Sequence, residues 1–115
     1  MTAIPADEPR YYRVDKFAVP ARSRREFVER IRVTHDLLKT MPGFIGDMVL
    51  EHASGPGEFN FVTIVEWRNQ GAIQRARQAV GTAQRAAGFD PYEMFERLNI
   101  KADIATYTGL APEFA

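Results

Sequence analysis

Few side chains in this sequence can move a proton or hold a planar ring, and their types narrow the chemistry. There are two histidines, one tryptophan and no cysteine. Without cysteine, disulfides, thiolate metal sites and a cysteine nucleophile are excluded. His35 lies one turn from Ile31 and Leu38, so on a helix it points inward or toward a cleft edge. An imidazole with an unperturbed pKa of about 6.5 suits proton transfer there, a structural hydrogen bond being the other role. Asp15 stands on a strand face with Arg13 and Phe17. Half-buried near aromatics, its carboxyl is expected to titrate above the ordinary range and to act as a base, unless an ion pair with Arg13 claims it. Trp67 shares a strand face with Phe61 and Val65, where it walls a planar ligand or is plain core. Phe17, Phe61 and Val65 are the expected ring contacts. Tyr92, with Phe95, reads as a lid or aromatic wall, or as a cap on the sheet and a contact for a second copy. No metal site is expected: the histidines are far apart, and no carboxylate at i+3 or i+4 completes a ligand set.

These side chains need elements to carry them. Tyr11 to Val19 alternates as a strand and Pro20 stops it. A helix over Ala21 to Thr40 follows, with Phe27, Val28, Ile31 and Leu38 on its apolar stripe, and Met41-Pro42-Gly43 ends it. Phe44 to His52 and Phe59 to Trp67 read as strands joined across ASGPGE, with His52 exposed beside that loop. The Gly-Pro-Gly run joins two strands and opens no helix, so it is no phosphate loop. Asn69 caps a second helix, Gln70 to Ala87, whose buried stripe is Ile73, Ala76, Val80, Ala83 and Ala87. Arg68, Arg75, Arg77 and Arg85 decorate this helix, as a solvated face or as the entrance for an anionic ligand. Asp90-Pro91 opens a short helix to Leu98, and Ile100 to Thr108 is the last strand. Residues 1–10 read as a loose leader and 110–115 as a tail, flanking a single domain over 11–109.

The order βαββα(α)β is that of an α+β, ferredoxin-like split βαβ sandwich: a four-stranded antiparallel sheet with two helices on one face. The strands are apolar on both faces, with Phe61, Val65 and Met48 on one side and Val62, Ile64 and Val49 on the other. Helices cover one side alone, and soluble monomers rarely expose such a patch. A homodimer, two sheets packed face to face as a dimeric α+β barrel, is the expected resolution unless a β-bulge shifts the parity. Fifteen basic residues balance fifteen acidic ones, which argues against nucleic acid as a partner. No apolar run is long enough for a membrane span and no signal peptide is legible, so a cytoplasmic protein is expected.

Three stretches resemble the antibiotic biosynthesis monooxygenase family of the dimeric α+β barrel superfamily. YRVDKFAVP with REFVERI is similar to its opening strand and helix, MPGFIGDMVLE to its helix stop and second strand, and FNFVTIVEWRNQGAIQRA to its third strand and capped second helix. The resemblance implies a homodimer that oxidises a small aromatic phenol or quinol, polyketide-like, with dioxygen and no cofactor. Asp15 and Trp67 fall at positions the resemblance marks, and with His35, taken from its own place on the first helix, they are the expected catalytic residues. Asp15 stands where many members carry asparagine, which can donate to a substrate oxygen. Haem-degrading relatives use a histidine on the second helix, and here that helix has none, so haem chemistry is not expected. A non-catalytic ligand-binding barrel is the alternative.

Overall fold

The computed structural model describes residues 9–110. Its elements are β1 (Tyr11–Ala18), a 3-10 turn (Ala21–Ser23), α1 (Arg24–Leu38), β2 (Phe44–Glu51), β3 (Phe61–Trp67), α2 (Gln70–Ala86), α3 (Pro91–Arg97) and β4 (Lys101–Thr108). The sheet is antiparallel in the order β2-β3-β1-β4, the ferredoxin-like arrangement, and the helices lie on one of its faces. Most of the leader and tail lie outside the described residues. Arg10 does not, and it is tied down: its guanidinium pairs with Glu66 at 2.8 Å and its carbonyl accepts from Thr108 Oγ1.

The local signals act as their chemistry requires. The Asn69 side chain accepts from the Ala72 N–H at 2.8 Å to start α2, and Asp90 accepts from the Tyr92 N–H at 2.9 Å to start α3, with Pro91 in the first turn. β3 begins two residues later than its alternation suggests, and just before it Asn60 binds the end of β1 through backbone and side chain: its N–H donates to Phe17 O at 3.0 Å. Its side-chain amide accepts from Val19 N and donates to Val19 O, at 2.7 and 2.8 Å, replacing the pairing lost where β1 ends. At the stop after α1, Gly43 adopts φ +88°, and a Cβ there would lie 2.5 Å from the Ala72 Cβ. The turn is thus glycine both for its left-handed backbone and for the close approach of α2.

Two expectations are corrected. Phe44 pairs with Trp67 and Gly46 with Glu66, leaving Ile45 as an extra residue. This bulge flips the parity of the rest of β2. Met48 pairs with Ile64 on the face away from the helices, and Val49 pairs with Thr63 on the helix side, the reverse of the sequence assignment. Leu50 follows Met48 outward. The outer face carries Val14, Val62 and Ile64 half-buried, with Met48 at 53% and Tyr107 at 47% exposure, and Lys16, Glu66, Lys101 and Asp103 lie on the same face around this apolar patch. The second correction concerns the helices. Ala72, Ile73 and Ala76 of α2 are buried, but Ala83 and Ala87 are exposed, because the later turns of α2 stand away from the sheet. Val28 of α1 is likewise exposed.

The core is split. One cluster gathers Phe17, Val19, Phe27, Phe61 and Ile100, with Phe27, 1% exposed, tilted against Phe17 and Phe61 at ring-centroid distances of 4.9 and 5.0 Å. The other gathers Val65, Trp67, Ala72, Ile73 and Ala76. Two glycine substitutions test this packing with opposite signs. Gly43→Ala should lower unfolding free energy by about 2 kcal/mol or more, from a positive φ and a clash with α2. Gly81→Ala, within α2, should raise it by roughly 0.5–1 kcal/mol. Urea denaturation reads both; a neutral Gly43→Ala would contradict the close approach of α2.

Candidate functional site

Between the two clusters the helix-facing side of the sheet is polar. Asp15 pairs across β1 and β3 with Thr63 and across β1 and β4 with Ile104, and Arg13 precedes it on the same face. The helices do not close over this band. A cavity of about 340 Å³ remains, floored by β1 and β3 and roofed by α1, α2 and α3, within the range of small-molecule sites. Asp15, Phe17, His35, Val65, Trp67 and Tyr92 all border it. Phe61 does not: it is buried beneath Phe27 in the neighbouring aromatic cluster and lies under the Arg24 guanidinium. Phe61 borders instead a second cavity of about 250 Å³, with His35 and Asp47.

Asp15 is both things its environment allowed. Arg13 Nε donates to Asp15 Oδ1 at 3.0 Å, and the two side chains are 23% and 24% exposed. Burial raises the Asp15 pKa above the ordinary carboxylate value, against the opposing pull of Arg13 and of nearby His35. The pair leaves a carboxyl that ionises reluctantly although it is hydrogen-bonded. His35 is 6% exposed, and its Nδ1 lies 2.9 Å from Asp47 Oδ2. With Nδ1 engaged by Asp47, Nε2 is the ring nitrogen left for other partners. Trp67 is 2% exposed, edge-on to Phe44 at 5.9 Å, and borders the cavity, so it is core and wall at once. Tyr92 is 74% exposed at the rim, edge-on to Phe95.

Sequence reasoning missed Asp47, Arg30 and Phe89. Asp47 reaches His35 because the Ile45 bulge turns it to the helix side; the Gly46 beside it was the available signal. Arg30, one turn from Phe27 and Thr34 on α1, borders the cavity with its guanidinium 3.4 Å above the Phe89 ring. Of the arginines read as a solvated face or an entrance, Arg77 also borders the cavity, whereas Arg68, Arg75 and Arg85 do not. His52 is exposed at the β2–β3 loop, as expected, beside the Gly55 carbonyl.

A sequence model of the antibiotic biosynthesis monooxygenase family matches residues 10–87, from β1 through α2. The chain belongs to that family. Its fold recurs in solved structures. One is SnoaB, a cofactor-independent oxygenase from Streptomyces nogalater, with 20% identity and a TM-score of 0.65 over 89% of this chain and 94% of that one. Another is the haem-degrader MhuD of Mycobacterium tuberculosis, solved with two haems in its active site, with 18% identity and a TM-score of 0.65 over 88% and 96%. A third is a dabb family protein with a ferredoxin-like fold from Mesorhizobium loti, with 15% identity and a TM-score of 0.63 over 90% and 99%. At these identities the likeness is one of fold. Among curated proteins, none matches the chain by sequence. This member of the monooxygenase family has, among its described residues, no cluster of three or more histidines, cysteines or acids able to hold a metal, and no helix long and apolar enough to cross a membrane.

The raised Asp15 pKa has a signed consequence for stability. The folded state holds this proton more tightly than the unfolded chain, so the contribution of Asp15 is most favourable below the unfolded pKa and is lost as pH rises through the folded one. Asp15→Asn removes that titration. Its melting temperature relative to the parent should therefore rise as pH is taken from about 3 to 7, in a series of scanning-calorimetry measurements. A difference that stays constant or falls would show that burial does not dominate this carboxyl.

Proposed function

We propose that the protein is a cofactor-independent monooxygenase of a small planar phenol or quinol, acting as a homodimer, with the cavity between sheet and helices as its active site. The observation that carries this reading is convergence: a carboxyl that resists ionisation, an imidazole anchored by a carboxylate, and the wall of the single tryptophan all border one cavity. SnoaB and the family match support the oxygenase class.

The chemistry needs little more. Triplet dioxygen reacts slowly with closed-shell molecules, so the substrate must become an electron-rich anion. Asp15 accepts the phenolic proton and, once neutral, no longer repels the phenolate; Arg13 beside it stabilises the anion formed. The anion gives one electron to dioxygen, and the two radicals combine at a ring carbon that bears hydrogen, forming a hydroperoxide. That carbon then loses its hydrogen as a proton while the O–O bond breaks. The carbon becomes a carbonyl, and the departing oxygen takes two protons, one through His35, to leave as water. One oxygen atom enters the quinone product, the other enters water, and the substrate supplies all the electrons. Asp47 is a positioning residue that fixes the His35 ring. The partner copy is expected on the outer face, where Met48, Leu50 and Tyr107 stand exposed beside Ile64.

Oxygen uptake by metal-free protein with 1-naphthol or an anthrone-type substrate tests the activity. Uptake with quinone formation is expected, with Asp15→Asn lowering kcat by about 100-fold or more and Trp67→Phe acting chiefly on KM. Absence of turnover with every phenol, or full activity of Asp15→Asn, would remove the assignment. Light scattering should return about twice the chain mass of 13.0 kDa; a stable monomer at micromolar concentration would contradict the homodimer.

A further inference from the structure

We propose that the substrate carries a carboxylate besides its phenol, and that Arg30 and Arg77 receive it on the helical side of the cavity. The proposal rests on the cavity being the substrate site and adds a substrate class to that reading.

Among the described residues, six of the fifteen lysines and arginines pair with a carboxylate, and of those that do not, Arg30 and Arg77 are the two that border the cavity. Arg10, Arg13, Arg24, Arg32, Arg97 and Lys101 each have a carboxylate partner. Arg30 and Arg77 have none among the described residues. The acids nearest Arg30 along α1 are already committed, Glu26 to Arg97 and Glu29 to Arg32. Arg30 Nε is buried without an acceptor, and it is the one such side-chain atom among the described residues. A buried donor with no acceptor is costly, and a charged one more so, until an acceptor arrives. The guanidinium carbon meanwhile lies 3.4 Å from the Phe89 ring centroid, a contact that restrains the side chain. A planar, fixed fork is what a carboxylate engages through two parallel hydrogen bonds. Arg77 reaches the same cavity from α2. Asp15, which also borders the cavity, is matched by Arg13, so the lining presents two positive charges without a carboxylate partner among the described residues, on a chain whose net charge is zero. An aromatic ring seated by Trp67 with its phenol at Asp15 would extend its far end toward the helices that carry them.

The test compares two probes that share ring and phenol and differ in one remote carboxylate, 2-naphthol and 6-hydroxy-2-naphthoate. Titration calorimetry under nitrogen at pH 7 should show the carboxylate probe binding at least tenfold more tightly, with a preference that shrinks as salt is raised. Arg30→Gln and Arg77→Gln should each reduce that preference, and the double variant should abolish it while leaving 2-naphthol affinity within twofold; Arg30→Lys, which keeps the charge without the fork, should retain part of it. Circular dichroism melts establish that each variant is folded, and Arg77→Gln, at an exposed helical position, reads the proposal even if Arg30→Gln does not fold. Equal affinity for the two probes, a preference that survives the double variant, or binding of neither probe would overturn the carboxylate subsite. Oxygen uptake separates this from the activity. A carboxylate preference without uptake upholds the subsite and removes the oxygenase, whereas uptake of both phenols without preference does the reverse.

Discussion

A charged pair in the middle of the helix-facing side of the sheet governs how the helices lie on it. Arg13 and Asp15 meet at 3.0 Å on β1, with Thr63 alongside on β3, and apolar layers stand on both sides. Packing a helix directly onto such a pair would strip its remaining water, and desolvation of that kind can exceed the attraction between the charges. The helices instead seat on the two ends, α1 on the Phe17 and Phe61 layer and the first turns of α2 on Val65 and Trp67. The polar middle stays open as a cavity. Removing one member of the pair would leave the other uncompensated, at a cost of up to about 3–5 kcal/mol for full burial and less at the partial exposure seen here.

The same pair sets the electrostatics of the site. Burial lifts Asp15 while Arg13 holds it back, and in the proposed reaction this carboxyl takes the phenolic proton with a cation beside it to receive the anion. His35 depends on a different device. The bulge at Ile45 turns Asp47 toward the helices, and the 2.9 Å contact with His35 fixes the ring. Bulges next to functional sites commonly re-aim a side chain in this way. The bulge also turns Met48 and Leu50 outward, so one extra residue serves the site on one face and the proposed partner surface on the other.

Much of this was legible in the chain. Strand alternation, the caps at Asn69 and Asp90, and the stop at Met41-Pro42-Gly43 are local signals, and they lead to the observed element order and to a helix-facing row of Asp15, Phe17, Val65 and Trp67. What was not legible depends on non-local geometry. Parity in β2 cannot be read past an extra residue, so Met48 and Val49 were exchanged and Asp47 was overlooked. The stripe on α2 is periodic to Ala87, but periodicity does not say whether a sheet lies beneath it; here a cavity does. Phe61 shares a face with Trp67, yet distance along the strand places it in a separate cluster. Arg30 looks like any helical arginine until the fold brings Phe89 over its guanidinium.

The most direct measurement of the central claim is where a planar phenol sits. In NMR spectra of the protein with 2-naphthol, nuclear Overhauser contacts from the ligand ring should reach the Trp67 indole, the Thr63 methyl and the His35 ring, while Val62 and Ile64 on the opposite face stay silent. Contacts confined to Val62, Ile64 and Met48, with none to Trp67 or Thr63, would contradict the account.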